Sequence, residues 1–115
     1  MTGARKRVFP ISREKDLMLV MMPLRLTAPT SLEVFRDTMA EAVASGVPEI
    51  VLDFMLTTVA DREILCELGT LSENNQGAFS LWWQNAKPEV ANLLSEMKIG
   101  GGERLPPVII KSSLS

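Results

Sequence analysis

Glu49-Ile50-Val51-Leu52-Asp53-Phe54 and, one linker later, Asp61-Arg62-Glu63-Ile64-Leu65 are the stretch on which the fold turns. The first part is an apolar run too short for a helix, and it reads as a central strand buried on both faces. In the second part Asp61 suits an N-cap, and Ile64, Leu65, Leu68 and Leu71 recur at helical spacing as one apolar stripe. A buried strand feeding an amphipathic helix is the repeating unit of α/β proteins.

The flanking sequence repeats that unit. Leu17-Met18-Leu19-Val20-Met21-Met22 is a second dense apolar run, bounded by charge on one side and Pro23 on the other, and it predicts another buried strand. Val8 to Ile11 predicts a short edge strand, interrupted by Pro10. Thr30 or Ser31 can cap the helix between the two buried strands, with Glu33 closing a capping box on Thr30. Leu32, Phe35, Met39 and Val43 form its apolar face, Arg36, Asp37 and Glu41 face water, and Gly46 with Pro48 ends it.

Toward the C-terminus, residues 74–77 break the second helix. Phe79-Ser80-Leu81-Trp82-Trp83 predicts a strand, and Pro88-Glu89 opens a third helix that buries Val90, Leu93, Leu94 and Met97. Gly100-Gly101-Gly102 ends that helix, residues 100–107 are expected as a Gly/Pro connector, and Val108-Ile109-Ile110 as a final strand. The order implies a single domain over residues 1–115. An initial hairpin would feed β-α-β crossovers, giving an α/β mixed sheet of about four to five strands with helices packed against it.

Composition bounds the function. The chain has 115 residues, 46% of them hydrophobic and 23% charged, as expected of a globular domain with its own core. A net charge of −2 gives no electrostatic case for nucleic acid. Arg5, Lys6 and Arg7 read as a solvated basic tail over residues 1–7. Neither a secretory signal nor a membrane span is read from the sequence, since the apolar run of residues 17–24 is short and carries Pro23. Cys66 alone cannot form an internal disulfide, which fits a reducing cytoplasm.

The absence of histidine and tyrosine removes the commonest general base and every Ser-His or Cys-His pair, so a non-enzymatic role is expected. Glu63 and Glu67 share a helix face but lack a third converging ligand, so no metal and no cofactor are expected. The triple glycine follows a helix instead of leading into one, so it is not a phosphate loop. Cys66 reads as a partly buried small residue. Trp82 and Trp83 must point to opposite faces of their strand. One fills the core, while the other is either covered by another element or exposed as an interface anchor.

Ile50-Val51-Leu52-Asp53-Phe54 followed by Thr57-Thr58-Val59-Ala60-Asp61-Arg62-Glu63-Ile64-Leu65 resembles the STAS domain, the fold of anti-sigma factor antagonists. There an "IVLDL" strand leads into an "FIDSSGL" turn, and the two segments align without a gap. The resemblance implies a bacterial, cytoplasmic regulatory module acting in signal transduction and transcription by protein–protein interaction. Asp61 matches the family's aspartate, but Arg62 stands where the phosphorylated serine would be, Glu63 replaces the next serine and Ile64 the glycine. No serine phosphoswitch is therefore expected, although Thr57 and Thr58 are open as acceptors.

The implied partner is an anti-sigma factor or kinase-like regulator. The alternatives are the ATPase of a lipid-transport ABC complex, gripped by a STAS subunit, and a small nucleotide-binding domain; a homodimer also stays open. The residues expected to touch a protein partner are Thr57, Thr58, Asp61, Arg62, Glu63, Cys66, Glu67 and Thr70, with Gly69 allowing close approach.

Overall fold

The computed structural model describes residues 11–14, 16–27, 30–75 and 77–109; for residues 11, 12, 14 and 30–35 it describes the backbone alone. The elements are β1 (Ile11–Glu14), β2 (Leu17–Met21), β3 (Arg25–Leu26), α1 (Thr30–Ala44), β4 (Glu49–Asp53), β5 (Val59–Ala60), α2 (Arg62–Asn74), β6 (Ser80–Gln84) and α3 (Pro88–Glu96). Four strands form the main sheet in the order β1-β2-β4-β6. β1 runs antiparallel to β2, while β2, β4 and β6 are mutually parallel. The mixed α/β fold expected from the sequence is the one observed.

Strand register explains which side chains form the core. Met18, Ile50 and Leu81 stand side by side across the parallel strands, as do Val20, Leu52 and Trp83. Both rows are buried in one cluster with Met39 and Ala42 of α1, Ile64, Leu65 and Leu68 of α2, and Val90 and Leu94 of α3. One sheet face thus carries all three helices. Alternation sends Leu19, Val51 and Trp82 to the other face.

Trp83 is the core tryptophan, and Trp82 is the covered one: it is half-buried, with its ring against Gly101. Among the described residues no helix is long and apolar enough to cross a membrane.

Several expectations need correction. The segment after α3 is not a loose connector. Gly101 N–H donates to Leu81 O (2.7 Å), Trp83 N–H to Gly102 O (3.1 Å) and Arg104 N–H to Trp83 O (2.8 Å). This segment runs parallel along β6 and covers its open edge, satisfying strand groups that would otherwise need another partner.

No strand is found at Val108-Ile109, and Ile110 lies outside the described residues. Instead the Gln84 side chain pairs with Val108 at both ends: Nε2–H donates to Val108 O (3.0 Å), and Oε1 accepts from Val108 N–H (2.7 Å). Helix α1 includes Thr30, so Thr30 is not outside the helix as a cap would be; its side chain and that of Glu33 lie outside the description. Of the expected edge strand, Val8, Phe9 and Pro10 lie outside as well, and β1 runs from Ile11 to Glu14. The basic tail of residues 1–7 is also beyond the described residues.

Candidate functional site

The site is built where β4 leaves the sheet. Phe54 O accepts from Thr57 N–H (3.0 Å), closing a turn with Met55 and Leu56 at its tip. Beyond it Val59-Ala60 pairs with Arg25-Leu26 as a separate two-stranded parallel ribbon. The ribbon directs the chain into α2. Asp61 stands at the N-cap, where its carbonyl accepts from Ile64 and Leu65 N–H, but its side chain makes no capping bond. That corrects the expectation of a carboxylate cap.

The expected contact residues separate on this frame. Arg62, Glu63, Cys66 and Thr70 are exposed on the side of α2 opposite the buried Ile64, Leu65 and Leu68. Cys66 is therefore surface-exposed, which corrects its expected partial burial. Thr58 is exposed, with its hydroxyl toward Leu24 O (3.3 Å).

Thr57 does not belong with them. It is fully buried, and its hydroxyl donates to Pro23 O at 2.7 Å. The bond crosses between two loops and draws the side chain inward, so Thr57 is neither a contact residue nor an accessible phosphoacceptor.

Ion pairs tie α2 to its neighbours. Arg36 of α1 meets Glu67 with two bonds, Nε to Oε1 at 3.2 Å and Nη2 to Oε2 at 2.8 Å. Arg62 meets Glu96 of α3 at 3.0 Å, with both side chains more than half exposed. Glu67 is thus engaged within the molecule.

The Arg36 hydrogen bond holds the Glu67 carboxyl below its ordinary value; desolvation opposes this and the Arg36 charge adds to it. Because the folded value lies below the unfolded one, this contribution is present above the unfolded carboxyl range and is lost as pH falls through the folded value. A Glu67→Gln protein should melt below wild type at neutral pH, with the two melting temperatures converging as pH falls through the lowered folded-state value. Thermal melts across that range check this, and a constant offset would contradict it.

A polar cluster missed in the sequence holds the turn from beneath. Asp53, buried at the end of β4, accepts at Oδ1 from Met55 N–H (2.8 Å). Its Oδ2 accepts from Gln84 Nε2 (3.0 Å) and Asn85 Nδ2 (3.1 Å). From α3's N-cap, Lys87 donates Nζ–H to Met55 O at 2.6 Å. The missed signal was a polar residue closing each of two buried strands, since such residues need internal partners.

Chemically the site offers hydrogen bonds, charge and apolar area, with no cluster of three metal-ligating side chains among the described residues. The glycine segment is used in pairing along β6 instead of cradling an anion.

A four-stranded mixed sheet, three helices on one face and a ribbon-guided entry into α2 define a STAS-like fold. Among the solved structures that share it are two anti-sigma-related ones. One is the anti-sigma factor antagonist SpoIIAA in its unphosphorylated form, with a TM-score of 0.64 and 16% identity over 78% of this chain and 80% of that one. The other is a serine-to-glutamate variant of RsbS from Moorella thermoacetica, with a TM-score of 0.59 and 23% identity over 79% of this chain and 78% of that one. The likeness is one of fold. No protein-family model matches the sequence, and no curated protein matches it.

Proposed function

We propose that the protein is a non-catalytic regulatory module that docks a protein partner through Thr58, Asp61 and the outer face of α2. Arg62, Glu63, Cys66, Glu67 and Thr70 form that face. The observation that carries this reading is the exposed start of α2, held by the Arg62–Glu96 and Arg36–Glu67 pairs on a helix whose other side is buried. A surface ordered before binding loses less entropy on association.

With arginine at the serine position, the surface holds a permanent positive charge where phosphate would bring a negative one. Docking is then constitutive with respect to serine phosphorylation. Thr58 is the hydroxyl still accessible in the loop, and phosphopeptide mapping after incubation with a cognate kinase tests it.

Capture from the native cell, followed by a dissociation constant for the purified pair, tests the docking. A regulatory kinase among the captured proteins supports the anti-sigma antagonist role, while a transporter ATPase supports the ABC-subunit role. Arg62→Glu should weaken binding about tenfold or more, the effect of losing a central interface contact. An unchanged constant would remove α2 from the interface.

A further inference from the structure

We infer that residues 101–109 form a strap whose hold on Gln84 sets the order of the Met55-Leu56 turn. The inference rests on the docking reading above for its consequence: it gives the loop that leads into α2 a control at the edge of the sheet.

The link is an unbroken run of hydrogen bonds. Gln84 ends β6 and is fully buried, and its amide is used on both sides. Toward the strap, Nε2–H donates to Val108 O and Oε1 accepts from Val108 N–H, much as one peptide group pairs with another across a ladder. Toward the sheet, the second Nε2–H donates to Asp53 Oδ2 at 3.0 Å. Asp53 Oδ1 in turn takes Met55 N–H at 2.8 Å.

The strap is the part of this run best suited to move. Glu103, Leu105, Pro106, Pro107 and Ile109 are exposed, so little apolar area holds it down. Backbone bonds to β6, the Arg104–Glu49 pair at 3.0 Å and Val108 hold it instead. Segments with few buried contacts open at a fraction of the free energy of global unfolding. Buried Ile99 anchors the root, and Gly100 and Gly102, at φ of +59° and +110°, supply the hinge.

The two positions of the strap differ in what Gln84 can do. With Val108 seated, every polar group of the amide is matched, and the side chain is fixed against Asp53. With Val108 lifted, a buried amide has lost two bonds and turns toward water, which draws it off Asp53. Asn85 Nδ2 still holds Asp53 Oδ2, and Lys87 Nζ still holds Met55 O, so the turn loosens without unfolding. Coupling of this kind is reciprocal: a partner that orders the turn also tightens the strap.

The test follows amide hydrogen exchange in the isotope-labelled full chain, with two variants that lift the strap at different points. Val108→Pro removes the N–H that Gln84 Oε1 accepts, and Arg104→Glu sets a carboxylate against Glu49. Both positions lie outside the helices and strands of the fold. In each variant the Met55 and Thr57 amides should exchange about tenfold faster than in wild type, while Leu68 in α2 keeps its protection. Val108→Ala, which retains the N–H and the carbonyl, should leave Met55 at the wild-type rate.

Faster exchange confined to residues 101–109 would overturn the inference, because water would then satisfy Gln84 in place. An equal rise at Leu68 would overturn it too, since the variants would be acting on the whole fold. No partner enters this measurement, so its failure leaves the docking reading standing. An Arg62→Glu protein that binds its captured partner as wild type does removes that reading and leaves the strap.

Discussion

Replacing Asp53 with alanine should destabilise the fold by about 3 kcal/mol, the largest effect expected of any single polar substitution here. The carboxylate is 4% exposed and accepts three hydrogen bonds, from Met55 N–H, Gln84 Nε2 and Asn85 Nδ2. Deleting it leaves those donors without their acceptor, and an unmet buried donor costs about 1–3 kcal/mol. Gln84 is itself fully buried and also holds Val108, so the disturbance reaches the C-terminal segment.

Asp53→Asn separates shape from chemistry. It preserves volume but puts an N–H₂ where an acceptor oxygen stood, so two amide donors would oppose one another on one side. Denaturant unfolding of both variants checks this. A loss below about 1 kcal/mol in Asp53→Ala would mean that water satisfies the three donors and the cluster is not structural.

Gly100→Ala should cost about 3 kcal/mol, while Gly69→Ala should be neutral or stabilise slightly. Gly100 has φ of +59°, and a Cβ there would lie 2.4 Å from Leu81 O. That oxygen belongs to the backbone of β6 and accepts from Gly101 N–H, so it cannot move without unpairing the edge. Left-handed strain in a non-glycine residue contributes about 1 kcal/mol, and the clash adds the rest.

At Gly69, inside α2, an added Cβ would meet Ile99 Cδ1 at an ordinary 3.5 Å, and alanine has the better helix propensity. Opposite signs in parallel melts would confirm that the glycine segment is a packed edge. A mild Gly100→Ala effect would restore the connector expected from the sequence.

Much of the fold was legible because it depends on local patterns. Ile50-Val51-Leu52 has the unbroken apolar run of a strand covered on both faces, and Ile64, Leu65 and Leu68 the spacing of a helix covered on one. Both lie where expected. The exposure of Arg62, Glu63 and Thr70 followed directly from that stripe.

Thr57 and Thr58 were not separable in the same way. They are adjacent, chemically identical and in a loop, where no period assigns a side. Burial of Thr57 depends on the Pro23 carbonyl, 34 positions away in the chain. The β3–β5 ribbon was missed for a related reason: two-residue strands have no periodicity to detect.

The amino-acid sequence by itself determined the alternation of strands and helices and the apolar stripe of each helix, because each is written in neighbouring residues. Only the tertiary structure decided that Gly100-Gly101-Gly102 closes the edge of β6, that Asp53, Gln84 and Lys87 hold the Met55 turn, and that Glu67 is bound to Arg36. Those outcomes rest on hydrogen bonds and ion pairs between residues distant in the chain, whose partners are chosen by proximity in the folded state and not by spacing along the chain.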